Sequence, residues 1–277
     1  MYEDFYHFSA KPFQLSPDPR FYFASSGHSR AMSYLEYGVH QGEGFIVITG
    51  EIGAGKTTLA RDLARNLDAQ KMLVAHVVNT QLGADDMVRM VAAAFGVADN
   101  NSKAVVLKNI EQLLLACHQQ GRRALLVVDE AQNLPLESLE ELRMLSNFQS
   151  ANKSLLQSFL LGQPEFRKTL QRPKLKQLRQ RVIASCHLGP MDRAETERYV
   201  LHRLQTVGWL GDPSLDKDAF DGIFRYSGGI PRKVNILCER LLLMGFLEEM
   251  HAFGGKEVRV VIEDLGEFEP AHPQGQG

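Results

Sequence analysis

The sequence predicts an α/β fold: a five-stranded parallel sheet sandwiched by helices, followed by a small all-helical domain. Three observations carry the prediction. Short continuous apolar runs alternate with amphipathic stretches over the first two thirds of the chain. The strand signal then stops after Gly189-Pro190, and only helical periodicity continues. Finally, a glycine-rich octet, Gly50 to Thr57, follows directly on one of the apolar runs. Continuous apolar strands are those buried on both faces, which places them in a parallel layer covered by helices, with ligands at the carboxyl ends of the strands.

The five runs are Phe45 to Thr49, Leu73 to Asn79, Ala124 to Val128, Leu155 to Leu161 and Val182 to His187. Between them, Thr57 to Leu67, Asp85 to Phe95, Ala104 to Gln119 and Leu136 to Phe148 repeat apolar residues at three- and four-residue spacing, the mark of a helix with one buried face. Beyond Pro190, helices are expected over Arg193 to Val207, Asp216 to Tyr226 and Pro231 to Glu249. The domain plan is therefore 1–190 for the α/β domain, 191–252 for a helical lid and 253–277 for a partly disordered extension. Residues 1–40 are rich in aromatics and proline and read as an irregular arm against the sheet. The segment Val258 to Leu265 fits a strand or a helix equally well.

Composition narrows the classes. A chain of 277 residues that is 44% hydrophobic and 23% charged can bury a real core. A formal charge of -2 offers no global attraction to nucleic acid or anionic membrane. Cys117, Cys186 and Cys238 are widely spaced among apolar residues, which suits packing in a reducing compartment rather than a disulfide or metal cluster. The acidic, aromatic start is unlike a signal peptide. The longest apolar run, Leu241 to Leu247, is far short of the ~20 residues that span a bilayer. Membrane insertion is not expected, and any membrane contact would go through a partner.

The octet Gly50-Glu51-Ile52-Gly53-Ala54-Gly55-Lys56-Thr57 fits the phosphate-loop pattern G-x-x-x-x-G-K-[ST]. Its glycines let main-chain amides turn inward around a polyphosphate, and the helix that follows adds the positive end of its dipole. Lys56 would reach the β and γ phosphates, and Thr57 would offer its hydroxyl to Mg²⁺. The octet together with Thr58 forms the expected nucleotide cradle. Downstream, the apolar strand Ala124 to Val128 ends in Asp129-Glu130. Asp129 is expected to hold the magnesium water shell and Glu130 to polarise the attacking water as general base.

Further positions carry two readings each. Gln163, after the fourth strand, could touch the γ phosphate or the attacking water, or cap the helix opened by Pro164. Asn79, after the second strand, could hold Glu130 in an idle rotamer, or serve as a turn amide. Arg232, at the helix start in Gly228-Gly229-Ile230-Pro231-Arg232, is a nucleotide sensor or a solvated side chain, and the paired glycines suggest a close approach. The basic stretch Lys174 to Arg181 could supply an arginine finger in trans, from Arg181 or Arg179, or form a nucleic-acid patch, or be a solvated face. Phe8, Phe13 and His28 are candidates to frame an adenine, or else residues that clamp the arm.

On these residues the chain resembles the AAA+ ATPases, and more narrowly the general secretion pathway protein A (ExeA) type. The resemblance rests on Phe5-Tyr6 with Lys11-Pro12-Phe13 and Pro17-Asp18-Pro19-Arg20, on Gly50 to Thr58, and on Asp129-Glu130-Ala131-Gln132-Asn133-Leu134. It continues through Glu141 to Asn147, Gly162-Gln163-Pro164-Glu165, Leu178 to Val182 and Gly228 to Arg232. Ser146-Asn147-Phe148, Leu156 to Leu160 and Val207-Gly208-Trp209 are similar to a shorter branch, the ATPases associated with exosortase (PEP-CTERM) loci and exopolysaccharide export. The resemblance implies ATP and Mg²⁺ as cofactors, a ring or ring-like homo-oligomer, and the roles given to Lys56, Thr57, Asp129, Glu130, Arg181 and Arg232. The expected function is an ATP-hydrolysing assembly or regulatory factor for envelope secretion or exopolysaccharide export, cytoplasmic or peripheral at the inner membrane through an export partner. The alternative is a DNA-binding AAA+ ATPase of the transposition target-selector type, disfavoured by the acidic balance and the lack of an evident recognition helix. A nucleotide-bound scaffold without turnover is a third reading, against which Glu130 argues.

Overall fold

The computed structural model describes residues 1–16, 18–78, 83–98 and 102–266. They fall into two compact units: Gly27–Ile52 with Lys56–Gly189, and Met1–Ser26 with Gly53–Gly55 and Pro190–Gly277. The chain opens with the short helix α1 (Tyr2–Phe5) and reaches α2 (Ser26–Gln41) through an extended stretch and one 3₁₀ turn, Pro19–Phe21.

The first unit is the α/β layer. After β1 (Phe45–Gly50) come α3 (Lys56–Asn66), β2 (Met72–Val77), α4 (Ala84–Ala94), α5 (Lys103–Gln119), β3 (Arg123–Val128) and α6 (Leu136–Leu145). A small antiparallel ribbon, β4 (Gln149–Ser150) with β5 (Lys153–Ser154), precedes β6 (Leu156–Gly162). The unit closes with α7 (Glu165–Leu170), α8 (Lys176–Gln180) and β7 (Val182–Leu188). The sheet runs β2-β3-β6-β1-β7, and its four pairings are parallel.

Position in this order explains the sequence of each strand. Every residue of β1 and β6 is buried, and in β3 only Arg123 is exposed, so these strands are mostly apolar, with Thr49, Gln157 and Ser158 as buried polar exceptions. The edge strands β2 and β7 show partial or alternating exposure instead. One core cluster joins Phe45, Leu126, Val128 and Leu160 of the sheet to Val91, Ile110, Leu142 and Phe166 of the helices. Each such side chain stabilises the unit by about 1.5–3 kcal/mol relative to exposure.

The register brings three chain turns to one edge. Val47 pairs Leu160 and Val128 pairs Leu160 from the other side, so the residues after β1, β3 and β6 leave the sheet together at its carboxyl end. The phosphate-loop strand β1 and the Asp129 strand β3 are not neighbours, because β6 lies between them. Gln163, just past β6, therefore sits between the two motifs.

The second unit contains α9 (Arg193–Thr206), α10 (Lys217–Ser227), α11 (Pro231–Leu247) and α12 (Gly255–Gly266), with a parallel bridge of β8 (Ser214–Leu215) to β9 (Ala252–Phe253). Its helix starts follow local chemistry. Asp192 accepts from the Glu195 amide in a capping box, Asp216 accepts from the Ala219 amide, and Pro231 occupies the first turn of α11. Gly228 ends α10 in the left-handed conformation, and a Cβ on Gly229 would lie 1.9 Å from the Met191 carbonyl oxygen. The close approach announced by the paired glycines is thus to Met191 of the same unit.

The aromatic arm corrects the sequence expectation. It is not an irregular segment on the sheet: Ser26–Gln41 is a helix, and Tyr2, Tyr6, Phe8, Phe13 and Phe21 are buried in one cluster with Tyr199, Val200, Leu237 and Phe253. Tyr2 donates to Glu239 at 2.7 Å and Tyr6 to the Met250 carbonyl at 2.8 Å. Arg203, 6% exposed, donates through Nε to the Pro12 carbonyl at 2.5 Å and through Nη2 to that of Gln14 at 3.1 Å. Val258 to Leu265 lies in the helix α12, while 267–277, where disorder is expected, lies outside the described residues.

Candidate nucleotide-binding site

The phosphate loop leaves β1 at Gly50 and enters α3 at Lys56. Gly53 and Gly55 hold φ of +80° and +98°, a backbone region that L side chains rarely enter, so these positions need glycine. Positive φ at alternate residues is the kind of backbone from which anion nests are made. Lys56 is 6% exposed, and its ammonium donates to the carbonyls of Gly50 at 2.8 Å and Glu51 at 3.0 Å. Burial lowers its pKa, against the opposing charges of Glu130, Asp129 and Glu51. Desolvation raises the free energy of this cation and readies it for an anionic partner.

Thr57 and Asp129, seventy-two positions apart in sequence, meet through the fold. The Thr57 hydroxyl donates to Asp129 Oδ2 at 2.5 Å, and Asp129 is 6% exposed. A hydroxyl and a carboxylate oxygen in contact form the hard, sparse donor pair that suits Mg²⁺, which keeps several of its own waters. Among the described residues no group of three or more His, Cys, Asp or Glu is assembled for a metal. The Thr57 hydroxyl and Asp129 carboxylate fit a magnesium ion shared with a phosphate. Beside them a cavity of about 220 Å³ is lined by Thr57, Arg61, His76, Val78 and Asp129, among others.

Glu130 follows in the left-handed region, at φ 52° and ψ 38°, a conformation costly for a residue with a Cβ. Its amide donates to Asp129 Oδ1 at 2.9 Å. Its Oε2 accepts from the side-chain amide of Gln132 at 2.6 Å and, more distantly, from that of Gln163 at 3.4 Å. The structure thus brings Glu130, Asp129, Thr57 and Gln163 to one strand-end region. Gln132 belongs to the same cluster, although sequence reasoning gives it no role. Its sequence signals are its place two positions after the acid and within the Asp129 to Leu134 block that carries the resemblance. Thr49, one residue before the loop, is 1% exposed, and its hydroxyl lies 3.2 Å from His187 Nδ1 on β7.

The remaining candidates are placed differently. The Arg181 guanidinium donates to the Ser146 hydroxyl at 2.6 Å and to the side chain of Asn147, both after α6. Arg179 donates to the Leu170 carbonyl at 2.9 Å. Thr58 lies half-buried in the first turn of α3, and Glu51 and Ile52 are exposed. Arg232 has an exposed side chain, and its amide donates to the Gly53 carbonyl at 3.2 Å within the unit that holds Gly53–Gly55. A Cβ on Gly53 would meet Arg232 Cβ at 2.3 Å. Phe8 and Phe13 are 7% and 2% exposed in the core of the helical unit, which is their clamping role rather than an adenine frame. His28 is also buried. Asn79 lies outside the described residues.

Comparison with known proteins agrees with this geometry. A family model described as an AAA domain matches residues 39–170. The chain is 37% identical over 253 residues to the general secretion pathway protein A of Aeromonas hydrophila, covering 91% of this chain and 46% of that protein. It thus spans about half the length of that relative. Among solved structures, the Aeropyrum pernix ORC2 protein in its ADPNP-ADP complexes aligns with a TM-score of 0.67 at 15% identity, over 92% of this chain and 72% of that one. The Thermotoga maritima RuvB Holliday junction branch migration motor aligns with a TM-score of 0.59 at 18% identity, over 92% and 73%. At such identities the likeness is one of fold. The AAA domain and the constellation at its strand ends support ATPase activity. Residues 39–170 thus match the AAA domain family, and the chain has an AAA+ P-loop NTPase fold.

Proposed function

We propose that this chain is a Mg²⁺-dependent ATPase that works as an assembly or regulatory factor for an envelope secretion or exopolysaccharide export system. The observation that carries the ATPase reading is the direct contact of Thr57 with Asp129, beside a desolvated Lys56 and a strained Glu130. Lys56 and the loop amides bind the β and γ phosphates, and Thr57 and Asp129 hold the magnesium, which when bound neutralises phosphate charge. Glu130 takes a proton from the attacking water. Gln163, between the two motifs, orients that water or the γ phosphate, and Asn79 acts on Glu130. Arg232 reports the nucleotide to the helical unit.

The pathway rests on the Aeromonas relative, whose name places that protein in general secretion. For this chain we infer a cytoplasmic protein that meets the inner face of the membrane through an export partner. The described residues contain no helix long and apolar enough to cross a membrane. The exosortase and exopolysaccharide context rests on the sequence resemblance. Turnover depends on a homo-oligomer in which Arg181 leaves Ser146 and Asn147 and completes a neighbour's site.

The test is the ATPase rate per subunit against protein concentration, with Mg²⁺ and with EDTA, for wild type and for Arg181→Ala mixed with Glu130→Gln. The proposal expects Mg²⁺-dependent hydrolysis that rises with assembly. Hydrolysis by a protein that stays monomeric, at a rate flat with concentration, would remove the trans arginine. Salt-sensitive binding to duplex DNA that needs ATP would move the function to the DNA-bound class.

A further inference from the structure

We propose that Gln132 is a positioning residue for hydrolysis: a two-ended bridge that fixes the Glu130 carboxylate against the end of strand β6. The inference rests on the ATPase reading and adds a residue to that site. The Gln132 amide nitrogen donates to Glu130 Oε2 at 2.6 Å, while its amide oxygen accepts the Gln163 main-chain N–H at 2.9 Å. The orientation of the amide is fixed by its partners. An ionised carboxylate only accepts and a main-chain N–H only donates, so the reversed amide would break both bonds.

The far end of the bridge is rigid. Strand β6 is buried along its whole length and pairs with β1 and β3, and Gln163 follows it directly. The near end is mobile in principle, since Glu130 is a flexible side chain on a short 3₁₀ turn. Its backbone is pinned in the left-handed region by the bond to Asp129 Oδ1. That contact fixes the Cα but leaves the carboxylate to swing about its own torsions. Gln132, the nearer donor at 2.6 Å, narrows that freedom together with the more distant Gln163 side-chain amide at 3.4 Å; in catalytic sites a misplacement of about 1 Å can cost roughly 10²-fold in rate. The bridge also links the base to Gln163, so a shift at one is felt at the other.

Two chemical features make the role specific to glutamine. Methionine has the same reach and neither hydrogen bond. Glutamate keeps an acceptor for Gln163 but turns a second negative charge on Glu130. A group that merely filled space would tolerate methionine.

The experiment measures steady-state kcat and KM for Mg-ATP, nucleotide affinity and the thermal midpoint for wild type, Gln132→Met and Gln132→Glu. It repeats Gln132→Met on a Glu130→Gln background under single-turnover conditions. The expected result is a roughly 10²-fold fall in kcat for both single variants, with KM, nucleotide affinity and the thermal midpoint unchanged. The double variant is expected to hydrolyse no more slowly than Glu130→Gln alone, because a positioning residue has nothing left to position. Unchanged kcat in Gln132→Met overturns the proposal, as does a further loss on the Glu130→Gln background. A rise in kcat also overturns it, since Gln132 would then be restraining Glu130. A rise in KM and a loss of stability together with the fall in kcat mark a packing role and reject the assignment. Absence of Mg²⁺-dependent turnover in wild type is a separate outcome that removes the ATPase reading and this inference with it.

Discussion

Lys56 in the α/β unit and Arg203 in the helical unit are each 6% exposed, and each is a cation held by main-chain carbonyls. Their settings differ in ways that separate chemistry from architecture. Lys56 bonds to Gly50 and Glu51, carbonyls of its own loop five and six residues away, and burial depresses its pKa. Arg203 bonds to Pro12 and Gln14, almost two hundred positions upstream, donates to the Tyr199 hydroxyl at 2.8 Å and lies 4.5 Å from the centre of the Phe21 ring. Tyr199 passes the network on to Asn235 at 2.8 Å. The arginine is saturated by partners that the fold delivers from the other end of the chain. The lysine is a desolvated charge on local, replaceable partners, which is the condition of a group awaiting an anion.

The comparison predicts opposite consequences for removing the two cations. Lys56→Ala is expected to weaken Mg-ATP binding by about 4 kcal/mol, roughly a thousandfold, measured by calorimetric titration. Its thermal midpoint should be no lower than wild type, since a desolvated charge has been deleted. Retained affinity, or a large loss of stability, would erase the contrast. Arg203→Ala is expected to lower the stability of the helical unit by about 3 kcal/mol, seen in denaturant unfolding, as several charged hydrogen bonds and the packing over Phe21 are lost together. Equal stability of Arg203→Ala and wild type would mean that the arm is not tied down by this residue.

The smallest expected effect sharpens the account of the arm. His202 on α9 packs beside Phe23 at 5.7 Å, and its Nε2 is buried without a hydrogen-bond partner. Burial lowers its pKa below the ordinary imidazole value, a hydrogen bond with the Tyr22 backbone opposes the shift, and the Arg203 charge adds to it. A folded pKa below the unfolded one means the neutral ring is favoured in the fold. The stability tied to His202 is therefore complete above pH about 6.5 and is lost as pH falls through the folded value. The midpoint of the helical unit should fall on acidification through that window, and less so in His202→Gln. An identical pH dependence in the variant would assign the acid sensitivity elsewhere.

What was legible in the sequence follows the range of the interactions involved. The five sheet strands and seven of the helices announce themselves through apolar runs and helical spacing, because burial on a sheet or helix is decided within a few residues. The phosphate loop and Asp129-Glu130 are legible for the same reason: their chemistry is local to a strand end. The arm is not. Tyr2 finds Glu239 across 237 positions, and no local pattern in an aromatic, proline-rich stretch says whether its partner is a sheet or a helix bundle. Strand order is hidden too, so the insertion of β6 between β1 and β3 appears only in the fold. Side-chain direction is the third unreadable quantity. Arg181 looks like a free cation in sequence and is bound to Ser146 and Asn147 in its own chain. Gln132 looks like one more polar turn residue and faces Glu130.

Glu130 is held in the left-handed region beside the buried Asp129, a costly conformation that sets where its carboxylate starts. The most direct test is to measure Mg-ATP binding and single-turnover phosphate release side by side for wild type and Glu130→Gln. The account predicts equal binding and a fall in hydrolysis of about 10²–10⁴-fold in the variant, the contribution of a general base. Hydrolysis by Glu130→Gln at the wild-type rate, with binding intact, would contradict it.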